Sequence, residues 1–76
     1  MSLSVIIKTQ PFTNIPKDST IIDNIHCLEL YCKQNNIEDY ILDIYNIFKR
    51  SGTIIIYIRY DLRKGIKYIN LHGHLS

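Results

Sequence analysis

Residues 53–71 read Thr-Ile-Ile-Ile-Tyr-Ile-Arg-Tyr-Asp-Leu-Arg-Lys-Gly-Ile-Lys-Tyr-Ile-Asn-Leu. Two runs of β-branched and aromatic residues flank a polar turn that ends in Gly65, and this pattern predicts a β-hairpin. The more apolar face of the first strand is predicted to point to the core and holds Ile54, Ile56, Ile58 and Tyr60. In the second strand, either Ile66 with Tyr68 or Ile69 with Leu71 faces inward, and the alternation does not choose between them.

A first helix is predicted upstream, from about Ser19 to Gln34. Thr20 and Asp23 have the spacing of a capping box, with Asp in the place of the usual Glu or Gln. An apolar stripe at helical spacing follows, made of Ile21, Ile25, Leu28 and Cys32. The pair Asn35-Asn36 is expected to end this helix.

A second helix, about Ile37 to Arg50, has the clearest periodicity in the chain. Its apolar positions recur at i, i+3, i+4, i+7, i+8 and i+11, and they are Ile37, Tyr40, Ile41, Ile44, Tyr45 and Phe48. Asn36 is predicted to cap its start, and Gly52 is placed to end it in the left-handed conformation.

The remaining strand lies near the beginning of the chain, where residues 3–9 alternate loosely between apolar and polar, and a loop bracketed by Pro11 and Pro16 follows. The resulting order, β-α-α-β-β, predicts a two-layer α+β domain in which a helical pair packs on one face of a small three-stranded antiparallel sheet. Residues 1–76 are expected to form one small domain, frayed at 1–2 and 72–76. The sheet face away from the helices would be open, and an open apolar face usually meets a partner.

The composition bears on the size of the core, the cellular compartment and the source of the protein. A chain of 76 residues buries only a small core, which favours self-association. Cys27 and Cys32 stand five positions apart on a predicted helix, so we expect both to be reduced, in the cytoplasm. No apolar run approaches the ~18 residues of a membrane helix, and we expect no membrane partner. Abundant Ile, Asn and Lys, without Ala or Trp, suggest an AT-rich gene and a viral or mobile-element accessory protein, acting in the host-cell cytoplasm if viral.

Charge is divided along the chain. Residues 18–43 hold six acids and one base, and residues 49–67 hold six bases and one acid. The basic end is therefore the predicted contact surface for an anionic partner. The candidate partner-binding residues are Ile55, Tyr57, Arg59, Arg63, Lys64, Lys67, Lys49 and Arg50. We expect a non-enzymatic interaction module, such as an inhibitor, that binds a protein partner or a second copy of itself. The alternative is a protein that binds RNA or DNA through the Tyr- and Arg-bearing hairpin.

The sequence patterns that would indicate metal binding or catalysis are weaker. His26, Cys27 and Cys32 do not have zinc-ligand spacing, so we expect no metal site and no cofactor. The element order, ending in a basic hairpin, is similar to that of the RelE/ParE toxins, over most of the chain but without a matched motif. That resemblance implies a small ribonuclease as a further alternative. Its catalytic groups would be Arg59, Lys64, Tyr68 and His72.

Overall fold

The fold is described by a computed structural model for residues 3–73. It is a small compact α+β domain with two α-helices, one 3₁₀ turn and four strands. In chain order these are β1 (Ser4–Gln10), β2 (Thr20–Ile22), α1 (Ile25–Gln34), a 3₁₀ turn (Glu38–Tyr40), α2 (Ile41–Ser51), β3 (Ile54–Asp61) and β4 (Ile66–His72). The predicted α+β class is confirmed.

The sheet differs from the predicted three-stranded antiparallel one. It has four strands in the order β1-β4-β3-β2 and is mixed, because β1 runs parallel to β4 while the β3–β4 and β2–β3 pairs are antiparallel. The hairpin of β3 and β4 therefore lies at the centre, with β1 and β2 as the two edges. The register places Ile56 opposite Leu71 and Ile58 opposite Ile69, which puts these four side chains on one face.

The predicted start of the first helix was wrong. Residues Thr20–Ile22 form the short strand β2 against β3, and the helix begins only at Ile25. Its N-cap is Asn24, whose Oδ1 accepts a hydrogen bond from the His26 backbone N at 2.8 Å. Three successive β-branched residues favour an extended backbone, and β3 offers them a partner. This pairing outweighs the capping-box spacing of Thr20 and Asp23.

Asn36 ends α1 and does not cap α2. It has φ 56°, its backbone N donates to the Lys33 carbonyl at 3.3 Å, and the Ile37 backbone N donates to the Cys32 carbonyl at 2.9 Å. These two bonds form a Schellman motif, in which the residue after the left-handed position supplies an apolar contact. Ile37 has that role and is fully buried. The chain then makes the 3₁₀ turn, so α2 begins at Ile41, four residues later than predicted.

The end of α2 follows the prediction closely. Gly52 has φ 73°, its backbone N donates to the Phe48 carbonyl at 2.7 Å, and Lys49 and Arg50 lie in the last turn. The core lies between the two helices and one face of the sheet. It contains Ile22, Leu28, Cys32, Ile37, Ile44, Phe48, Ile54, Ile56, Ile69 and Leu71. The structure thus selects Ile69 with Leu71 as the inward pair of β4.

The expectation that the chain frays from residue 72 was wrong for its first two residues. His72 ends β4 and is 1% exposed, and the buried Gly73 donates its backbone N–H to the Gln10 carbonyl at 3.0 Å. This last bond continues the ladder between β1 and β4. The rest of the fraying prediction, residues 1–2 and 74–76, lies outside the described residues.

Candidate binding face on the sheet

The helices cover one face of the sheet, and the other face carries the candidate site. Side chains alternate along a strand, so the residues between the core positions of β3 and β4 point away from the helices. The register arranges part of this face in two adjacent rows. One row is Ile6, Tyr68 and Arg59, and the next is Lys8, Asn70 and Tyr57. We refer to these six residues as the Tyr68 face.

Tyr68 is the centre of this face. Lys8 from β1 places its Nζ 4.7 Å from the centroid of the Tyr68 ring, and Arg59 from β3 places its Cζ 4.2 Å from the same centroid. The electron-rich ring attracts both cations, with a contribution of about 0.5–1 kcal/mol for each at an exposed site. The ring itself is only 8% exposed. Two exposed positive groups are thereby anchored on one ring on the central strand β4.

The neighbours of these cations within the Tyr68 face are neutral, and the nearest acid along β3 is Asp61. Ile6 is 39% exposed and lies directly opposite Tyr68, while Tyr57 and Asn70 are half-buried and add a hydroxyl and an amide. Asp61 continues this face of β3, but its Oδ1 accepts a hydrogen bond from the Lys64 backbone N at 3.2 Å in the turn. The Tyr68 face therefore offers two cations, two neutral polar groups and one apolar side chain.

One end of the open face is covered. His72 and Ile55 are neighbours across β4 and β3, and they are 1% and 7% exposed. The His72 Nδ1 lies 3.2 Å from the Pro11 carbonyl oxygen, a distance at which a protonated Nδ1 donates a hydrogen bond. The chain between β1 and β2 must cross from one edge of the sheet to the other. Its first residue, Pro11, lies over this end of the open face. The accessible part of the face is therefore the part around Tyr68.

The structure separates the eight residues predicted to bind a partner. Tyr57 and Arg59 lie in the Tyr68 face, whereas Ile55 is buried beside it. Arg63 and Lys64 are exposed in the β3–β4 turn. Lys67 faces the helix side of the sheet, with its Nζ 5.6 Å from the centroid of the Tyr60 ring. The last two, Lys49 and Arg50, end α2 at the opposite end of β3 from the turn, about 24 Å away for eight residues of strand.

Lys8 and Asn70 were missed as site residues by the sequence reasoning. The alternation of β1 does place Lys8 on the same side as Ile6, and that was the available signal. The strand order could not be predicted from the sequence, and only the parallel pairing of β1 with β4 brings Lys8 beside Tyr68.

The ribonuclease set is not assembled into one accessible site. Arg59 and Tyr68 are in contact, but Lys64 lies in the turn and His72 is buried against Pro11. A general acid or base must come within about 3 Å of the proton it transfers, and a side chain that is 1% exposed does not meet a substrate in this conformation.

The cysteines are both free, and their environments differ. Cys27 is exposed, whereas Cys32 is fully buried in the core. Burial raises the pKa of the Cys32 thiol, and the negative charge of Glu38 raises it further. Cys32 therefore stays protonated over a wider pH range than an exposed cysteine does, and it acts as a small apolar core residue.

Two further features of residues 3–73 concern membranes and metal ions. No helix there is long and apolar enough to cross a membrane. No three His, Cys, Asp or Glu side chains within this range lie close enough together to hold a metal ion. Comparison of the chain with protein-family models, with curated proteins and with solved structures found no match.

Proposed function

We propose that this protein is a non-enzymatic interaction module that binds an acidic segment of a partner protein on its Tyr68 face. The observation that carries the proposal is the attachment of Lys8 and Arg59 to a single buried ring, at 4.7 and 4.2 Å. Binding costs less when charged side chains are already held in place, because fewer rotamers are lost. The two cations on the Tyr68 face are held in this way.

The composition of the face favours a polypeptide. Carboxylates of Asp and Glu pair with Arg and Lys, while the half-exposed Ile6 and the half-buried Tyr57 offer apolar and aromatic area to neighbouring side chains. Such a mixture of cationic, aromatic and aliphatic groups is typical of the residues that anchor protein–protein interfaces.

The same geometry gives less support to nucleic-acid binding. A single-stranded nucleic acid is usually held by aromatic rings that stack on its nucleobases and by lysine and arginine side chains that follow its phosphates. Here the Tyr68 ring is 8% exposed and already contacts two cations. The other basic residues of the hairpin and of α2 lie in the β3–β4 turn, on the helix side of the sheet and in the last turn of α2, so they do not form one continuous row.

The compartment that fits this proposal is the cytoplasm. Cys27 and Cys32 are both free thiols, and proteins of reducing compartments keep their cysteines in this form. The partner would then be an acidic protein of the same compartment.

The proposal is tested with a Glu-rich peptide and a single-stranded oligonucleotide of equal charge, titrated into the protein over a salt series. We expect the peptide to bind more tightly. Arg59→Gln should weaken its binding about fivefold, because an exposed ion pair contributes up to about 1 kcal/mol. Isothermal titration calorimetry measures both affinities.

Arg63→Gln is the matched control, since it removes the same charge from the turn rather than from the Tyr68 face. We expect it to change the affinity for the peptide less than twofold. Tighter binding of the oligonucleotide, with equal losses from Arg59→Gln and Arg63→Gln, would show diffuse attraction of nucleic acid and would contradict the proposal.

A further inference from the structure

We infer that the partner segment bound on the Tyr68 face is extended and carries two acidic residues at alternate positions, as Asp-x-Asp or Glu-x-Glu. This pattern depends on the proposed function and deepens it, because it specifies which acidic segments the face selects. The geometry of Lys8 and Arg59 around the Tyr68 ring carries it, together with the small apolar content of the face.

The two cations of the Tyr68 face lie on opposite sides of the Tyr68 ring. Strand β4 lies between β1 and β3, so Lys8 reaches the ring from one side and Arg59 reaches it from the other. The Lys8 Nζ is 4.7 Å and the Arg59 Cζ is 4.2 Å from the ring centroid, so these two atoms are at most about 9 Å apart. The ring is 8% exposed and keeps the two charges separated.

A single carboxylate cannot bond to both cations. A hydrogen bond between a charged nitrogen and a carboxylate oxygen spans about 2.7–2.9 Å. The Tyr68 ring fills the space between the cations, so a carboxylate within that distance of one cation lies too far from the other. Two separate acidic side chains are therefore needed to pair with both Lys8 and Arg59.

An extended chain presents two such side chains at alternate positions. Residues i and i+2 of an extended chain point to the same side and lie about 7 Å apart, whereas neighbouring residues point to opposite sides. The i, i+2 spacing is close to the separation of the Lys8 and Arg59 charges. Two adjacent acids would turn only one carboxylate toward the face, and acids at i and i+4 would be about 13 Å apart, which is too far.

A helical segment is less suited to this face. A docked helix buries an apolar stripe in an apolar groove. Among the six residues of the Tyr68 face, the one aliphatic side chain is Ile6, which is 39% exposed. Lys8 and Arg59 lie on strands separated by β4, so an extended segment that meets both cations crosses the strands and does not pair with an edge of the sheet.

Short capped peptides of equal charge test the spacing. Each carries two Asp residues in a Ser- and Gly-rich sequence that is too short to form a helix, and the Asp residues are adjacent, alternate or farther apart. We expect the alternate peptide to bind about fivefold more tightly than the others, because it alone pairs with both cations. Backbone amide chemical shifts of the full chain, followed through a titration at low salt, measure these weak affinities.

Three single variants show which cations produce the preference. Arg59→Gln and Lys8→Gln should each abolish the preference for the alternate peptide, because one cation is left on the face. Arg63→Gln is the matched control, since it removes one positive charge from the turn, and it should leave the fivefold preference unchanged. All three side chains are exposed, so we expect each variant to fold.

The outcomes separate this pattern from the proposed function. Equal binding at every spacing, with each affinity lowered by Arg59→Gln, would overturn the alternate pattern and leave the proposed function in place. Tightest binding at any other spacing would overturn the pattern as well. Affinities that Arg59→Gln does not lower, or no binding by any of the peptides, would contradict the proposed function and the pattern together.

Discussion

Leu71→Ala is expected to lower the free energy of unfolding by about 3 kcal/mol, because it removes a fully buried side chain and leaves a cavity. Leu71 lies on the central strand β4, opposite Ile56 and beneath the helices. A domain of this size has a total stability of about 4–11 kcal/mol. The loss should therefore lower the melting temperature by more than about 10 °C, which circular dichroism or calorimetry measures.

Leu42→Ala is the control, because it makes the same chemical change at a side chain that is 74% exposed on α2. We expect a change within about 0.5 kcal/mol. Equal losses from the two variants would mean that Leu71 does not face the core, and the assignment of the inward face of β4 would be wrong.

Reversing both cations of the Tyr68 face, by Lys8→Glu with Arg59→Glu, is expected to weaken binding of a Glu-rich peptide by about a hundredfold or more. Each reversal replaces an attraction with a repulsion, and each of these interactions contributes about 1 kcal/mol at an exposed site. The variant should in turn bind a Lys-rich peptide that the natural protein does not bind. Fluorescence anisotropy of labelled peptides measures both affinities.

The control for charge reversal is Arg63→Glu with Lys64→Glu in the turn. It lowers the net charge by the same amount, from +2 to −2, but leaves the Tyr68 face intact. We expect a loss of less than about tenfold, due to long-range repulsion alone. An equal loss in both double variants would indicate that net charge governs binding and not the arrangement around Tyr68.

Local sequence patterns were sufficient for the elements whose own residues decide their structure. The β3–β4 hairpin follows from its two β-branched runs, and Gly65 has φ 65° in the turn. The end of α2 follows from Gly52, and the alternation of β3 correctly places Ile54, Ile56 and Ile58 on the core side. Tyr60, predicted to share that core face, is instead 53% exposed. In each case the determining signal lies within a few residues of the structure that it produces.

Pairing between distant segments was not predictable in the same way. Thr20–Ile22 is a strand because β3 is beside it, although its spacing also satisfies a helix start. Asn36 is an acceptable residue both at the end of one helix and at the start of the next, and the bond from the Ile37 N–H to the Cys32 carbonyl decides between them. These choices depend on tertiary contacts, which override weak local preferences.

The candidate site also combines residues that local sequence predicts with residues that depend on the pairing of distant strands. Arg59 and Tyr57 were identified from the hairpin alone, since both lie on the side of β3 opposite the core. Lys8 joins them only through the parallel pairing of β1 with β4, which brings together residues about sixty positions apart in the sequence. The charge division of the sequence pointed to one basic end, but folding distributes those bases over both ends and both faces of the sheet.

The most direct test of the proposed function is a map of backbone amide chemical shifts while a Glu-rich peptide is added to the natural protein. We predict that the largest changes fall on Lys8, Tyr57, Arg59, Tyr68 and Asn70, with little change in α1 and α2. Changes concentrated on the helices, or spread evenly over the exposed lysines and arginines, would contradict a binding face centred on Tyr68.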